Sequence, residues 1–218
     1  MGATARRRTI LWSIIAVVGI GGIASVVTWL NRRHQQNVAA FQASAQLMGL
    51  TQIRGQAPGI SLIDQNGKHV SLADFRGKIV VLEFMDPVCT DICPIVSAEL
   101  VQADKLLGAR SKQVVFVSVN VNQYHESVAD VKKFSDQHGL SNLDNWYFLT
   151  GGTNELQKIW KAYDIYVKPN PTGDVVHSSV MYFIDKTGQE QALADPTNNA
   201  SQINQWASGI ARVVEQLA

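Results

Sequence analysis

Apolar positions in this chain fall into two patterns, one unbroken and one periodic. From Thr9 to Leu30 no charged residue occurs for about 22 positions, enough at about 1.5 Å per residue to cross roughly 30 Å of hydrocarbon. Arg6, Arg7 and Arg8 precede this run, Arg32 and Arg33 follow it, and Trp12 and Trp29 stand near its ends. The pattern predicts one membrane-spanning helix, with the slight basic excess favouring an N-terminus inside. A cleavable signal peptide is the competing reading, because Ala43-Ser44-Ala45 resembles a cleavage site, but it lies too far beyond the apolar run. The expected organisation is a cytoplasmic N-terminus at 1–8, a transmembrane anchor at 9–30, a polar, alanine-rich juxtamembrane stalk at 31–56 and a folded extracytoplasmic domain at 57–218.

After Pro58-Gly59 the periodicity changes. Ile60 to Ile63 and His69 to Leu72 flank Asp64-Gln65-Asn66-Gly67-Lys68, an Asn-Gly signal for a β-hairpin that opens the domain. Apolar runs at Ile79 to Phe84, Val114 to Val121, Trp146 to Leu149 and Val180 to Ile184 predict the main strands, the last entering a turn at Asp185 to Gly188. Helical patterns occupy Pro94 to Leu107, Glu126 to His138, Asn154 to Tyr163 and Ser201 to Leu217. Strands alternating with helices predict an α/β fold with a partly parallel sheet and helices on its faces. The aromatic residues Trp146, Tyr147, Phe148, Trp160 and Tyr163 suit core packing.

Composition narrows the function classes. Lys and Arg total 19 against 18 Asp and Glu, a formal charge of +1, so no long-range field points to nucleic acid. Neither G-x-G-x-x-G nor a Walker lysine follows any predicted strand, and nucleotide binding is not expected. A domain of about 160 residues buries a core without disulfide staples. The chain nevertheless has two cysteines, Cys89 and Cys93.

They stand in Cys89-Thr90-Asp91-Ile92-Cys93-Pro94, directly after the run ending at Phe84. Pro94 suits the first turn of a helix, so both thiols are expected at a strand-to-helix turn, where the positive end of the helix dipole favours thiolate. The dithiol alone leaves open disulfide exchange, binding of a soft metal or a structural staple. Among five histidines, His34 adjoins the apolar run, His69 is in the hairpin, and His125 and His138 flank a predicted helix; all four read as solvated. His177 differs, because it follows the loop Lys168 to Asp174 and immediately precedes the strand starting at Ser178. Loops at strand ends are where α/β sites assemble, and two thiolates with one imidazole make a donor set suited to copper(I). Met181, on the same strand, is a soft donor as well as a gap-filling core residue. Asn199-Ala200-Ser201 has the form of a glycosylation sequon.

Cys-x-x-x-Cys-Pro after a strand, then Val176-His177-Ser178-Ser179-Val180-Met181-Tyr182-Phe183-Ile184-Asp185, behind an apolar anchor, resembles the Sco/SenC family of copper chaperones over roughly Gln56 to Ala218. The resemblance implies a thioredoxin-like fold and copper held by Cys89, Cys93 and His177. It further implies a role in building the binuclear copper centre of cytochrome c oxidase, as copper donor, thiol reductant or both. The partners implied are the copper-bearing oxidase subunit and other copper or thiol-transfer proteins. Asp91 matches the family's acidic residue between the cysteines. Thr90 stands where the family usually has Pro, and Pro87 where it usually has Thr. Asn120 and Val176 replace acids, one common after the second main strand and one before the histidine. The alternative function is a membrane-anchored thiol–disulfide oxidoreductase in which Cys89 attacks and Cys93 resolves.

Overall fold

The computed structural model describes residues 25–36, 38–173, 175–196 and 202–218, in two units, Met1–Ala43 and Ser44–Ala218. In the first unit, residues 25–36 and 38–43 are helical, and the Arg33 guanidinium lies 4.1 Å from the centre of the Trp29 ring, a cation–π contact. Among the described residues no helix is long and apolar enough to cross a membrane. Of the expected anchor at 9–30, residues 9–24 lie outside the described residues, as do the N-terminal segment 1–8 and the sequon at 199–201.

Among the described residues the second unit contains ten strands: β1 (Thr51–Gln56), β2 (Ser61–Ile63), β3 (His69–Ser71), β4 (Ile79–Met85), β5 (Val114–Asn120), β6 (Trp146–Leu149), β7 (Val167–Lys168), β8 (Val176–His177), β9 (Met181–Ile184) and β10 (Gln189–Ala194). Its α-helices with defined bounds are α1 (Ile92–Leu107), α2 (Val128–Gln137), α3 (Thr153–Ala162) and α4 (Ile203–Leu217). Six strands form the main sheet in the order β1-β10-β9-β4-β5-β6. β4, β5 and β6 run parallel, as the intervening helices predict, while β9, β10 and β1 are added antiparallel.

The central strands are buried on both faces, which explains their unbroken apolar runs. One face carries Val80, Leu82 and Phe84 of β4 with Val115, Val117 and Val119 of β5, packed with Leu156, Ile159 and Trp160 of α3 and with Leu62 and Val70 of the small hairpin. That hairpin pairs β2 with β3 as the Asn-Gly turn predicts, Gly67 adopting φ +78°, and bridges to the main sheet through Ile63 and Thr150. The other face carries Phe148, whose ring meets Phe134 of α2 edge-on at 5.7 Å. It also carries Glu83, whose carboxyl is in electrostatic contact with Glu99 of α1; α1 in turn packs against α4.

The expected stalk at 31–56 needs correction at its C-terminal end. Residues 44–47 are helical, Met48 is buried and Thr51–Gln56 is the edge strand β1, paired with β10. Its polar composition hid it, because an edge strand exposed on one side needs little apolar surface. The folded unit therefore begins ahead of Pro58.

Candidate metal and thiol site

β4 ends at Met85, and Asp86 turns the chain: the Cys89 amide donates to Asp86 O at 3.1 Å and the Val88 amide to Asp86 Oδ1 at 2.9 Å. Three residues after Cys89, α1 starts at Ile92, with Cys93 and Pro94 in its first turn as the sequence predicts. Cys89 is 9% exposed and Cys93 2%, and both are free thiols. They are hydrogen-bonded to each other. That bond from Cys93 brings Cys89 down to about 7, assisted by the Cys93 and Asp91 amides and opposed by burial and by the Asp86 charge. Cys93 is pushed in the other direction, first by that same bond and then by burial. The pair therefore holds one readily lost proton and one firmly held proton. A thiolate at Cys89, stabilised by an S–H and two helix-start amides, is the nucleophile or ligand available at neutral pH.

His177 lies on β8, which pairs with β7 so that His177 faces Val167. Its Nδ1 is 2.8 Å from Ser178 O; a carbonyl only accepts, so Nδ1 carries the proton and Nε2 keeps its lone pair. Burial lowers the ring's basicity, against smaller opposing effects of that hydrogen bond and of Asp86. The imidazole is thus a neutral donor. Among the described residues, no three His, Cys, Asp or Glu side chains are gathered closely enough to hold a metal ion. The structure brings Cys89 and Cys93 together and sets His177 in electrostatic contact with Asp86, outside a closed three-ligand arrangement.

Asp86 is the residue that sequence reasoning missed. It is fully buried. Its Oδ1 accepts from Asn122 Nδ2 at 3.0 Å as well as from Val88, and its Oδ2 accepts from the Val175 amide at 2.7 Å, two residues before His177. A single Asp before Pro87 reads as turn chemistry, and nothing local announces partners so distant in the chain. The histidines read as solvated include two that share a cleft with Cys89: His125 and His138, with Phe134, line a cleft of about 490 Å³ that opens on Cys89. Met181 is wholly buried on β9 and fills the core. Asp91 is exposed at the start of α1 and makes no side-chain cap.

A dithiol at the N-terminus of a helix that follows a central strand, on a sheet of mixed strand direction with helices on its faces, defines an α/β protein of thioredoxin-like class. A profile of the SCO1/SenC family matches residues 57–214, and the chain belongs to that family. It is 33% identical over 131 residues to the SCO1 protein homolog of Bacillus subtilis, a stretch covering 58% of this chain and 66% of that protein. The chain thus spans about two thirds of that relative's length. Among solved structures, Arabidopsis thaliana ScoI with copper bound superposes with a TM-score of 0.62 at 23% identity, covering 74% of this chain and 99% of that one. BsSco, described as a member of the Sco family of cytochrome c oxidase assembly proteins with a disulfide switch, superposes with a TM-score of 0.59 at 26% identity, covering 72% and 95%.

Proposed function

We propose that this chain binds copper(I) as cargo through Cys89, Cys93 and His177 and passes it to a thiol-bearing recipient in cytochrome c oxidase assembly. The observation that carries the reading is the dithiol at the start of α1, with a buried imidazole two residues beyond Val175, whose amide donates to the same buried Asp86 that caps the dithiol turn. Two sulfurs and one ring nitrogen are soft donors that suit copper(I). Cys89 enters as thiolate, Cys93 releases its proton on binding, and Nε2 of His177 offers a lone pair. Membership in a family that includes a copper-bound member and an oxidase-assembly member supports the cargo and the recipient class. The charge-free run at 9–30 supports a single spanning helix with the N-terminus inside and the domain outside.

The decisive measurement is copper(I) competition against a chromogenic chelator, using the reduced full chain. One copper per chain is expected, with weaker binding in His177→Ala and none of comparable strength in Cys93→Ser. Unchanged affinity in both variants would refute the reading.

A second reading rests on Cys89 itself, which is acidic and opens on a cleft. Its thiolate attacks a partner disulfide, forming a mixed disulfide and releasing one partner thiolate; Cys93 then displaces the second, leaving the partner reduced and Cys89–Cys93 oxidised. Stoichiometric reduction of a partner disulfide by reduced, metal-free protein, undiminished in His177→Ala, would favour this chemistry.

A further inference from the structure

The family resemblance leads one to expect an acid before the histidine and another after the second main strand, and this chain has Val176 and Asn120 there. Val176 is 64% exposed. Asn120 is buried and its side chain is fully engaged: Nδ2 donates to His125 O and Thr150 Oγ1, and Oδ1 accepts from the Asn122 amide. Neither residue offers His177 a charge. Asp86 does, and it also acts on both cysteines.

A buried carboxylate needs compensation by donors or a cation. Among the described residues Asp86 makes no ion pair, and its three hydrogen bonds come from Val88, Asn122 and Val175. One oxygen holds the dithiol turn, the other holds the strand that carries His177. Asn122 ties the same two segments a second time, with Nδ2 3.5 Å from Gly173 O. Asparagine at position 86 fits poorly, since it accepts on one oxygen only and turns an NH₂ either on the Val175 amide or on Val88 and Asn122.

We propose that Asp86 is the positioning residue of the site, a charged strut that holds the His177 strand against the Cys89–Cys93 turn in place of the two missing acids. The proposal rests on the copper reading for its functional consequence and on hydrogen-bond geometry for its structural one. Outer groups that orient a ligand commonly change metal affinity by about 10–100-fold when removed.

The test is a double-mutant cycle on the full chain, measuring copper(I) affinity of wild type, Asp86→Asn, His177→Ala and the double variant. Asp86→Asn is expected to weaken binding about 10–100-fold, and to add nothing when His177 is already alanine. Equal losses with and without His177 would overturn the proposal, because the carboxylate would then act without the imidazole. Amide hydrogen exchange on metal-free protein supplies the second readout: Val175 should exchange at least about tenfold faster in Asp86→Asn, while Val81 in β4 keeps its protection. Unchanged exchange at Val175 would also overturn it. If wild type binds no copper but Val175 is released, the copper reading fails and the strut stands. If Asp86→Asn does not fold, Asn122→Ala removes one donor and leaves the charge, and the same cycle with His177→Ala is read.

Discussion

Glu99→Gln should make this protein more stable at neutral pH, and the size of the effect follows from where the carboxyl sits. Glu99 is on α1 and only 2% exposed. Its Oε2, like Oε1 of Glu83, has no hydrogen-bond partner among the described residues. Burial pushes Glu99 up from 4.5 to about 8. Glu83 is raised as well, first by burial and then by the Glu99 and Asp195 charges. Between 4.5 and about 8 the folded chain therefore holds a proton on Glu99 that the unfolded chain releases. Stability falls as pH rises through that window and is level above it. At about 1.36 kcal/mol per pH unit, the loss at pH 7 relative to pH 4 is at most about 3 kcal/mol for Glu99 alone.

Glutamine copies the neutral carboxyl in size, so the folded state changes little and the unfolded state loses its ionisation. The variant should match wild type near pH 4.5 and exceed it at pH 7 by up to about 3 kcal/mol, or about 6–12 °C in Tm for a chain of this size. Relief of Glu83 adds to the difference with the same sign. His138 and His177 are lowered by burial, so their contribution has the opposite sense, being lost as pH falls below about 6.5. It is common to both proteins and cancels in the difference. Denaturant unfolding at pH 4.5, 6, 7 and 8.5 measures it. Parallel curves for the two proteins would refute the buried, proton-holding Glu99.

Cys89 should be alkylated by iodoacetamide ahead of Cys93, with a rate that rises through an inflection near pH 7, because its thiolate is stabilised to about 7; peptide mapping that finds Cys93 modified first would contradict the assignment of roles. Gly209→Ala should cost about 1–3 kcal/mol, because its Cβ would overlap Met48 Sδ, which is buried against α4; Met48→Ala in the same chain should remove most of that added cost. An equal cost of Gly209→Ala with and without Met48→Ala would mean that Met48 does not pack on Gly209.

Local pattern sufficed wherever a residue's role depends on its near neighbours. Asn66-Gly67 dictates a tight turn, so the β2–β3 hairpin was legible. The apolar runs of β4 and β5 announce strands buried on both faces. β10 was not legible, because Gln189–Ala194 contains no β-branched or aromatic residue; it is a strand because β9 and β1 offer hydrogen bonds on either side. β7 and β8 are two residues each, too short for any period to show. The dithiol turn was readable from Cys-x-x-x-Cys-Pro, whereas the Asp86 network joins positions 36 and 89 residues apart in the chain. Glu83 was concealed inside an apolar run, and only the packing of α1 across it gives its charge a consequence.

That contrast predicts which properties of the site separate under mutation. The acidity of Cys89 comes from groups within four residues of it, the Cys93 S–H and the amides of Asp91 and Cys93, with Asp86 a smaller opposing charge. The place of His177 depends on a strand held by contacts to Asp86, through Val175, and by pairing with β7. Changes in the Lys168 to Val176 segment should therefore move copper affinity while leaving the alkylation profile of Cys89 in place. Changes that unwind the first turn of α1 should alter both, since the proposed readings use the same thiolate as nucleophile and as ligand. Disulfide exchange needs only the local half of this arrangement, and the proposed copper site needs both halves. A variant of this chain that kept the turn and lost the strut would retain thiol chemistry and hold the metal about 10–100-fold more weakly.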